Sequence, residues 1–324
     1  MPARPVLIRL ALAAIVAVAA VAWLLRPPSA PAALSLAEMV ARHATPLPRP
    51  AQGMASFHLG HSLVGAEIPA FTQQLAEAAG FAGASYASQL GWGTSLRDHW
   101  DRDRPINGFA EMNTSAAHRD PRAALESGAY DALILTEMVD LRDAIRWHQS
   151  GPHVAKWAAL ARAHRPDIRV FLYETWHATD SAEGWLDRLD ADLPALWQGT
   201  IMAQAMAAPE AGVIHLIPAG QVMAAFTRAL EAQGGLPGLA DRYALFAESP
   251  DGARDTIHPN DLGAYLVALT HVATLYQIDP RGLPFQLMRA DGSAADAPSA
   301  DVAALMQQVV WDVTRSLPQT GIAP

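Results

Sequence analysis

The sequence predicts a single α/β domain with a central parallel β-sheet covered by helices on both faces. Short apolar runs alternate with longer segments of helical periodicity along most of the 324 residues. Strands separated by helices imply right-handed crossovers, which produce a parallel sheet with helices on each side. The composition, 51% hydrophobic and 17% charged, is that of a globular protein that can bury a core without metals or disulfides.

The individual elements follow from the period of the apolar residues. The predicted strands, in chain order, are Ala55–Leu59, Ser85–Leu90, Ala132–Leu135, Arg169–Tyr173 and Val213–Leu216. The predicted helices are Ile68–Ala79, His153–His164, Trp185–Ala207, Ala219–Ala232, Asp261–Tyr276 and Asp301–Leu317. Within the third helix, Pro194 marks a break or a second start, because proline cannot donate a helical hydrogen bond.

The amino-terminal segment predicts export. Arg4 and Arg9 precede an uncharged run over residues 10–25, and a segment of prolines and small residues follows. This pattern is typical of a cleaved secretory signal, but residues 6–25 are also long enough for a membrane anchor if Arg9 snorkels. Either alternative places the rest of the chain outside the cytoplasm, in the periplasm or the medium.

Three regions are therefore predicted. Residues 1–33 are a signal peptide or membrane anchor. Residues 34–52 are a linker that contains a short helical segment and then three prolines, Pro46, Pro48 and Pro50. Residues 53–324 form the α/β domain.

Composition excludes several classes of function. The net charge of −9, without an evident basic face, argues against nucleic acid as a partner. The absence of cysteine excludes thiol catalysis, zinc–thiolate sites and disulfides. His58 and His61 have no carboxylates nearby at ligand spacing, so no metal site is predicted, and no cofactor is expected.

A serine stands where the first predicted strand ends. In the run Phe57-His58-Leu59-Gly60-His61-Ser62-Leu63-Val64-Gly65, the strand ends at Gly60 and Ser62 lies in the turn before a helix. Its hydroxyl is thus expected at the carboxyl edge of the sheet, near N–H groups that favour developing negative charge. Gly65 comes one residue too late for a G-x-S-x-G elbow. A serine that simply caps the helix is the alternative interpretation.

An aspartate and a histidine lie three residues apart near the other end of the chain. In Asp255-Thr256-Ile257-His258-Pro259-Asn260, a loop stiffened by proline offers both groups from one segment, and Asn260 or Asp261 would cap the following helix. A serine hydroxyl needs a base to remove its proton, and an imidazole does this best when a carboxylate fixes its tautomer. A capped loop with a solvated histidine is the alternative.

Together, Gly-x-Ser-Leu after the first strand and Asp-x-x-His-Pro near the end resemble blocks I and V of the SGNH/GDSL hydrolases. The resemblance spans residues 57–276, and only these two blocks are sharp. It implies a three-layer α/β/α sandwich around a parallel sheet and an esterase activity. It also implies Ser62 as the nucleophile, His258 as the general base and then acid, and Asp255 as the orienting carboxylate.

The resemblance also implies an oxyanion hole, which is harder to place. Gly93 is preferred over Gly91 as the backbone donor after the second strand, beside the amide of Ser62. The family's block III asparagine is missing, because Thr136-Glu137-Met138 follows the third strand. Either Thr136 helps through its hydroxyl or the hole has fewer donors. Glu137 is expected to point away or to be held by a cation such as Arg142.

Trp92 and Trp176 fall just after predicted strands and are candidates for substrate binding, because flat aromatic faces suit sugar rings or acyl chains. The leading hypothesis is a serine esterase for a short-chain acyl ester, on a carbohydrate or similar exported molecule. One alternative is an acyltransferase that acts on an exported polysaccharide, with a sugar hydroxyl in place of water. Another is a binding module that keeps the fold without catalysis.

Overall fold

The computed structural model describes residues 32–249 and 251–323. The predicted signal or anchor, up to residue 31, lies outside the described residues. Among the helices that are described, none is both long enough and apolar enough to cross a bilayer.

Five parallel strands form the central sheet in the order β2-β1-β3-β4-β5. They are β1 Ala55–His61, β2 Ser85–Gly91, β3 Ala132–Leu135, β4 Arg169–Glu174 and β5 Ile214–Pro218. Each lies at the predicted position, and the bounds differ by no more than two residues. The predicted α/β class with a parallel sheet is confirmed.

Helices cover both faces of this sheet and complete a three-layer α/β/α sandwich. Side chains of β3 alternate between the two layers: Ala132 and Ile134 pack on one side, and Leu133 and Leu135 on the other. The first layer contains the helices Glu67–Ala78, Ala219–Ala232, Asp261–Tyr276 and Ala300–Ser316. The second contains Leu36–Arg42, Pro121–Glu126, Ser150–His164 and Ala203–Ala207. Shorter helices are Leu96–Trp100, Phe109–Met112, Leu141–His148 and the single 3₁₀ turns Pro209–Ala211, Arg242–Leu245 and Pro318–Thr320.

The helix predicted over residues 185–207 is continuous but changes its hydrogen-bond register. An α-helix, Trp185–Asp192, passes into a π-helical stretch, Leu193–Met202, and the α-helix Ala203–Ala207 follows. The change begins beside Pro194, which lacks the N–H that would donate to the preceding turn.

The segment predicted as a linker packs on the domain. A reciprocal capping box between Ser35 and Glu38 starts the helix Leu36–Arg42, and Met39 from that helix is buried in the second core. Further along, Arg169 donates to the carbonyl oxygen of Pro48 at 2.7 Å. Residues 34–52 therefore pack on the domain, because the Met39 side chain is buried in its core and the Pro48 carbonyl accepts from Arg169.

The Asp255–His258 segment, predicted as a loop, is a strand. β6 Phe246–Glu248 and β7 Arg254–Pro259 form a two-stranded antiparallel sheet. The next residue, Asn260, caps the helix Asp261–Tyr276 by accepting from the amides of Leu262 and Gly263. β7 therefore ends at Pro259, directly before the residue that caps the helix.

Candidate active site

The site lies where the direction of strand addition reverses. From β1 the chain moves outward to β2 and then returns to the other side of β1 to form β3. Loops leaving the carboxyl ends of β1 and β3 therefore diverge and open a crevice, which is where ligands bind in open α/β sheets. Ser62 follows β1 directly at this point.

Ser62, His258 and Asp255 form one chain of hydrogen bonds. Ser62 Oγ lies 2.9 Å from His258 Nε2, and His258 Nδ1 lies 2.8 Å from Asp255 Oδ2. Because the carboxylate can only accept, Nδ1 carries the proton and Nε2 is free to accept from the serine hydroxyl. The geometry is that of a nucleophile, a base and an orienting acid.

Backbone amides hold the aspartate. Its Oδ1 accepts from the amides of Ile257 at 2.8 Å and His258 at 2.9 Å. Partial burial raises the pKa of the Asp255 carboxyl, but these amides and the imidazole favour the charged form more strongly and leave the pKa below its ordinary value.

Trp176 is buried behind β7, so its expected contact with substrate is corrected. Only 2% of the residue is exposed, and Nε1 donates to the carbonyl of Ile257 at 2.8 Å. Thr179 donates to the neighbouring carbonyl of Thr256 through both its amide and its hydroxyl. A buried indole N–H needs an acceptor, and here the acceptor is a carbonyl of the strand that carries Asp255 and His258. The indole thus supports that strand.

Trp92, by contrast, lines an open cleft beside Ser62. The cleft has a volume of about 900 Å³ and is also lined by His258 and Gly93. Trp92 is 51% exposed. Its indole packs on Gly108, where a Cβ would lie 2.2 Å from the ring and the φ of +62° favours glycine. One face of the indole is held while the rest remains open to the cleft.

Gly93 is the better placed of the two glycines considered for the oxyanion hole. It lies on the cleft with a φ of +56°, whereas Gly91 is buried at the end of β2. The amide of Trp92 donates to Asn107 at 2.7 Å and fixes the loop. Ser62 and Gly93 both line the cleft, so their backbone amides stay the predicted donors of an oxyanion hole.

Thr136 is not placed to donate to substrate, which corrects the expectation for its hydroxyl. The residue is fully buried, and a Cβ at Gly60 would lie only 2.5 Å from the Thr136 Cβ. Its Oγ1 has no solvent exposure and no hydrogen-bond partner among the described residues. Because Gly60 packs directly on this side chain, an oxyanion in the cleft cannot reach it.

Thr136→Val is therefore expected to leave kcat and KM within about twofold of the parent. It should also raise the free energy of unfolding by about 1 kcal/mol, because an unpaired buried hydroxyl is replaced by a methyl group of similar size. Ester kinetics and urea unfolding measure the two effects. A tenfold loss of kcat would return Thr136 to the oxyanion hole.

Glu137 is held by backbone amides, and Arg142 does not reach it. Glu137 Oε1 accepts from the amides of Leu96 at 3.2 Å and Met138 at 2.9 Å. Arg142 instead makes a bidentate pair with Glu183 at the surface. Complete burial raises the pKa of Glu137 to about 7, despite the amides, because the charged form has lost its hydration.

Glu137→Gln is expected to change how stability depends on pH. Because the pKa of Glu137 is higher in the folded than in the unfolded protein, the stability it contributes is present below its ordinary pKa of 4.5 and is lost as pH rises through about 7. The parent should therefore lose roughly 3 kcal/mol more unfolding free energy than the Gln variant across this range. Urea unfolding at a series of pH values tests this. Parallel curves for the two proteins would contradict it.

Sequence reasoning missed the far wall of the cleft. Tyr86, Ser88 and Leu90 of β2 line it, together with residues 111–112 and 114–117. Alternate residues of β2 face this wall, so strand periodicity could have indicated the first three. Residues 114–117 have no regular element, and tertiary contacts with β2, such as the bond from the Ser88 amide to the carbonyl of Ala117, bring them there.

A second concavity of about 660 Å³ lies at the opposite, amino-terminal edge of the sheet. Its arginines include Arg42, Arg162 and Arg169, whose guanidinium groups bind backbone carbonyls. It is remote from Ser62, and none of its described lining residues forms a hydrogen-bonded pair of a nucleophile and a base, so the cleft beside Ser62 is the candidate active site.

Neither a family model nor a curated protein matches the sequence. Solved structures with a similar fold include a GDSL-like lipase from Parabacteroides merdae, at 13% identity and a TM-score of 0.42, over 68% of this chain and 94% of that one. A carbohydrate esterase family 3 protein from Talaromyces cellulolyticus has 14% identity and a TM-score of 0.38, over 69% and 96%. Phospholipase A1 from Streptomyces albidoflavus has 13% identity and a TM-score of 0.38, over 69% and 99%. At these identities the likeness concerns the fold alone.

Proposed function

We propose that this protein is a serine esterase of the SGNH/GDSL type, which hydrolyses an acyl ester through an acyl-enzyme on Ser62. The observation that carries the proposal is the hydrogen-bond chain from Asp255 through His258 to Ser62, which ends at an open cleft. A serine beside an oriented imidazole is the arrangement that makes a hydroxyl nucleophilic at neutral pH.

The proposed reaction has two halves. Ser62 Oγ attacks the ester carbonyl while His258 Nε2 takes its proton, and the amides of Ser62 and Gly93 bind the oxyanion. The intermediate collapses as His258 returns the proton to the leaving alcohol. Water then attacks the acyl-enzyme, with its proton passing to His258 and finally to Ser62. No metal or cofactor takes part in this scheme.

The cleft favours an uncharged ester. Among the described residues of its lining, Glu111 is the one carboxylic acid, and no lysine or arginine is present. An anionic substrate would lose its hydration without gaining a partner. A short acyl group would fill little of the 900 Å³, so we propose that the alcohol moiety, such as a sugar ring against Trp92, occupies the remainder.

An ester panel and a covalent probe test the proposal. The purified protein should hydrolyse p-nitrophenyl acetate or butyrate, and a fluorophosphonate should label the Ser62 peptide in mass spectrometry. Peracetylated xylobiose tests a carbohydrate ester, and added xylobiose with p-nitrophenyl acetate tests transfer. Product that appears mainly on the added sugar would make the protein an acyltransferase. If the protein shows no hydrolysis, no transfer and no labelling, it is a binding module that keeps the fold without catalysis.

We also propose that the protein works outside the cytoplasm, as a soluble or anchored protein. The basis is the amino-terminal sequence alone: two arginines, an uncharged run over residues 10–25 and a small-residue segment. Fractionation of cells that express the full chain, with amino-terminal sequencing of the product, separates a cleaved form from an anchored one. Recovery of the full-length chain in the cytoplasm would contradict export.

A further inference from the structure

Three buried side chains pin the backbone on either side of Ser62. His99 Nε2 lies 2.8 Å from the carbonyl oxygen of Gly60, and the Tyr173 hydroxyl donates to the carbonyl of Leu63 at 3.1 Å. His61 makes two contacts: its Nδ1 accepts from the amide of Leu63 at 3.3 Å, and its Nε2 lies 2.8 Å from the carbonyl of Glu137. These contacts connect the turn to the segment that follows β3, to β4 and to the helix Leu96–Trp100.

The partners determine the tautomer of each histidine. In His61 a backbone N–H donates to Nδ1, so Nε2 must carry the proton that it donates to the carbonyl of Glu137. In His99 the carbonyl of Gly60 likewise requires a proton on Nε2, while Nδ1 faces the amide group of Gln89 at 3.0 Å. Burial lowers the pKa of both imidazoles to about 4, so both are neutral at pH 7.

His61 has the most direct effect on the position of the Ser62 amide. Its side chain joins the residue before Ser62 to the residue after it, and it joins both to the carbonyl of Glu137 in the segment after β3. A neutral imidazole also adds no positive charge near the imidazolium that would form on His258. An oxyanion hole with two backbone donors and no side-chain donor depends on the exact placement of each amide.

We propose that His61 is a positioning residue, which holds the Ser62 amide in the oxyanion hole by linking the turn after β1 to the carbonyl of Glu137. This inference rests on the proposed esterase function. His61 touches no substrate, because it is fully buried beneath the turn. It acts through the backbone on the stabilisation of the tetrahedral intermediate.

Three substitutions separate the two contacts of His61. Asn places an oxygen near the position of Nδ1 and retains the bond from Leu63, while Gln places an N–H near Nε2 and retains the bond to Glu137. Leu retains neither. We expect kcat/KM on an aryl ester to fall by roughly 30-fold or more in His61→Leu and by less in His61→Asn and His61→Gln. Active-site titration normalises each protein for its folded fraction.

Two inhibitors distinguish positioning from general damage. Phenylboronic acid forms a tetrahedral adduct with a serine, whereas acetanilide occupies a cleft without bonding. The affinity for the boronate should fall in parallel with kcat/KM, while the affinity for acetanilide stays close to the parent value. His43→Gln is the matched control, because His43 is a buried histidine bonded to the carbonyls of Met39 and Ile214, at the far edge of the sheet. It should retain parental kinetics.

Parental kcat/KM in all three His61 variants would overturn the inference, as would equal losses of boronate and acetanilide affinity. If His61→Leu does not fold, the Asn and Gln variants decide the question together with Tyr173→Phe. Tyr173→Phe removes the hydroxyl that donates to the carbonyl of Leu63 and should cause a smaller loss of kcat/KM. Failure of the proposed function gives a different result: the parent itself would show neither ester hydrolysis nor fluorophosphonate labelling, or Ser62→Ala would keep the parental activity.

Discussion

Ser62→Ala is expected to lower ester hydrolysis by about 10³-fold or more without disturbing the fold. The substitution removes the oxygen that lies 2.9 Å from His258 Nε2 and leaves the base, the aspartate and both proposed backbone donors in place. Since Ser62 is only half-buried and its side chain makes no other hydrogen bond among the described residues, thermal unfolding should be close to that of the parent.

The rate of p-nitrophenyl acetate hydrolysis, together with fluorophosphonate labelling, measures this effect. Ser127→Ala is a matched control: it removes a serine hydroxyl that donates to the carbonyl of Ala124 and does not line the cleft. Near-parental turnover by Ser62→Ala would show that the nucleophile is another residue and would end the esterase proposal in its present form.

Asp255→Asn is expected to have the second largest effect, of the order of 10³-fold on kcat. The Asn side chain can still accept from the amides of Ile257 and His258 through its oxygen. Its NH₂ group then faces His258 Nδ1 and donates to it, so the imidazole proton moves to Nε2. In that tautomer Nε2 cannot remove the proton of Ser62, although the geometry is nearly unchanged.

The pH dependence distinguishes this mechanism from simple loss of structure. Because the pKa of Asp255 is held below its ordinary value, the parent should keep a charged carboxylate at neutral pH. The stability that this carboxylate contributes should be lost only as pH falls through the lowered pKa. Asp251→Asn changes the same hairpin, where Asp251 accepts from the amide of Ala253, and should retain activity. Equal activity of Asp255→Asn and the parent at pH 7 would exclude an orienting role for Asp255.

The sequence by itself determined the elements of the sheet. Apolar runs such as 132–135 are buried on both faces, and the helices between them bury one stripe or more, so the period of the apolar residues reports the element type. It also indicated Ser62, Asp255 and His258, because a serine after a strand and an Asp-x-x-His-Pro run are local patterns. Their catalytic roles stay a prediction that Ser62→Ala and Asp255→Asn test.

Only the tertiary structure decided which side chains face the cleft. Trp92 and Trp176 occupy equivalent places after their strands, yet Trp92 is open and Trp176 is buried, because the carbonyl of Ile257, 81 residues away, lies against the indole of Trp176. Thr136 is covered by Gly60, and Glu137 binds an amide 41 residues away. The physical reason is that burial and hydrogen-bond partners depend on contacts between distant segments, whereas periodicity and turn propensity depend on near neighbours. Ser62 and His258 themselves are 196 residues apart, and the reversal of strand order at β1 and the hairpin of β7 bring them within 2.9 Å.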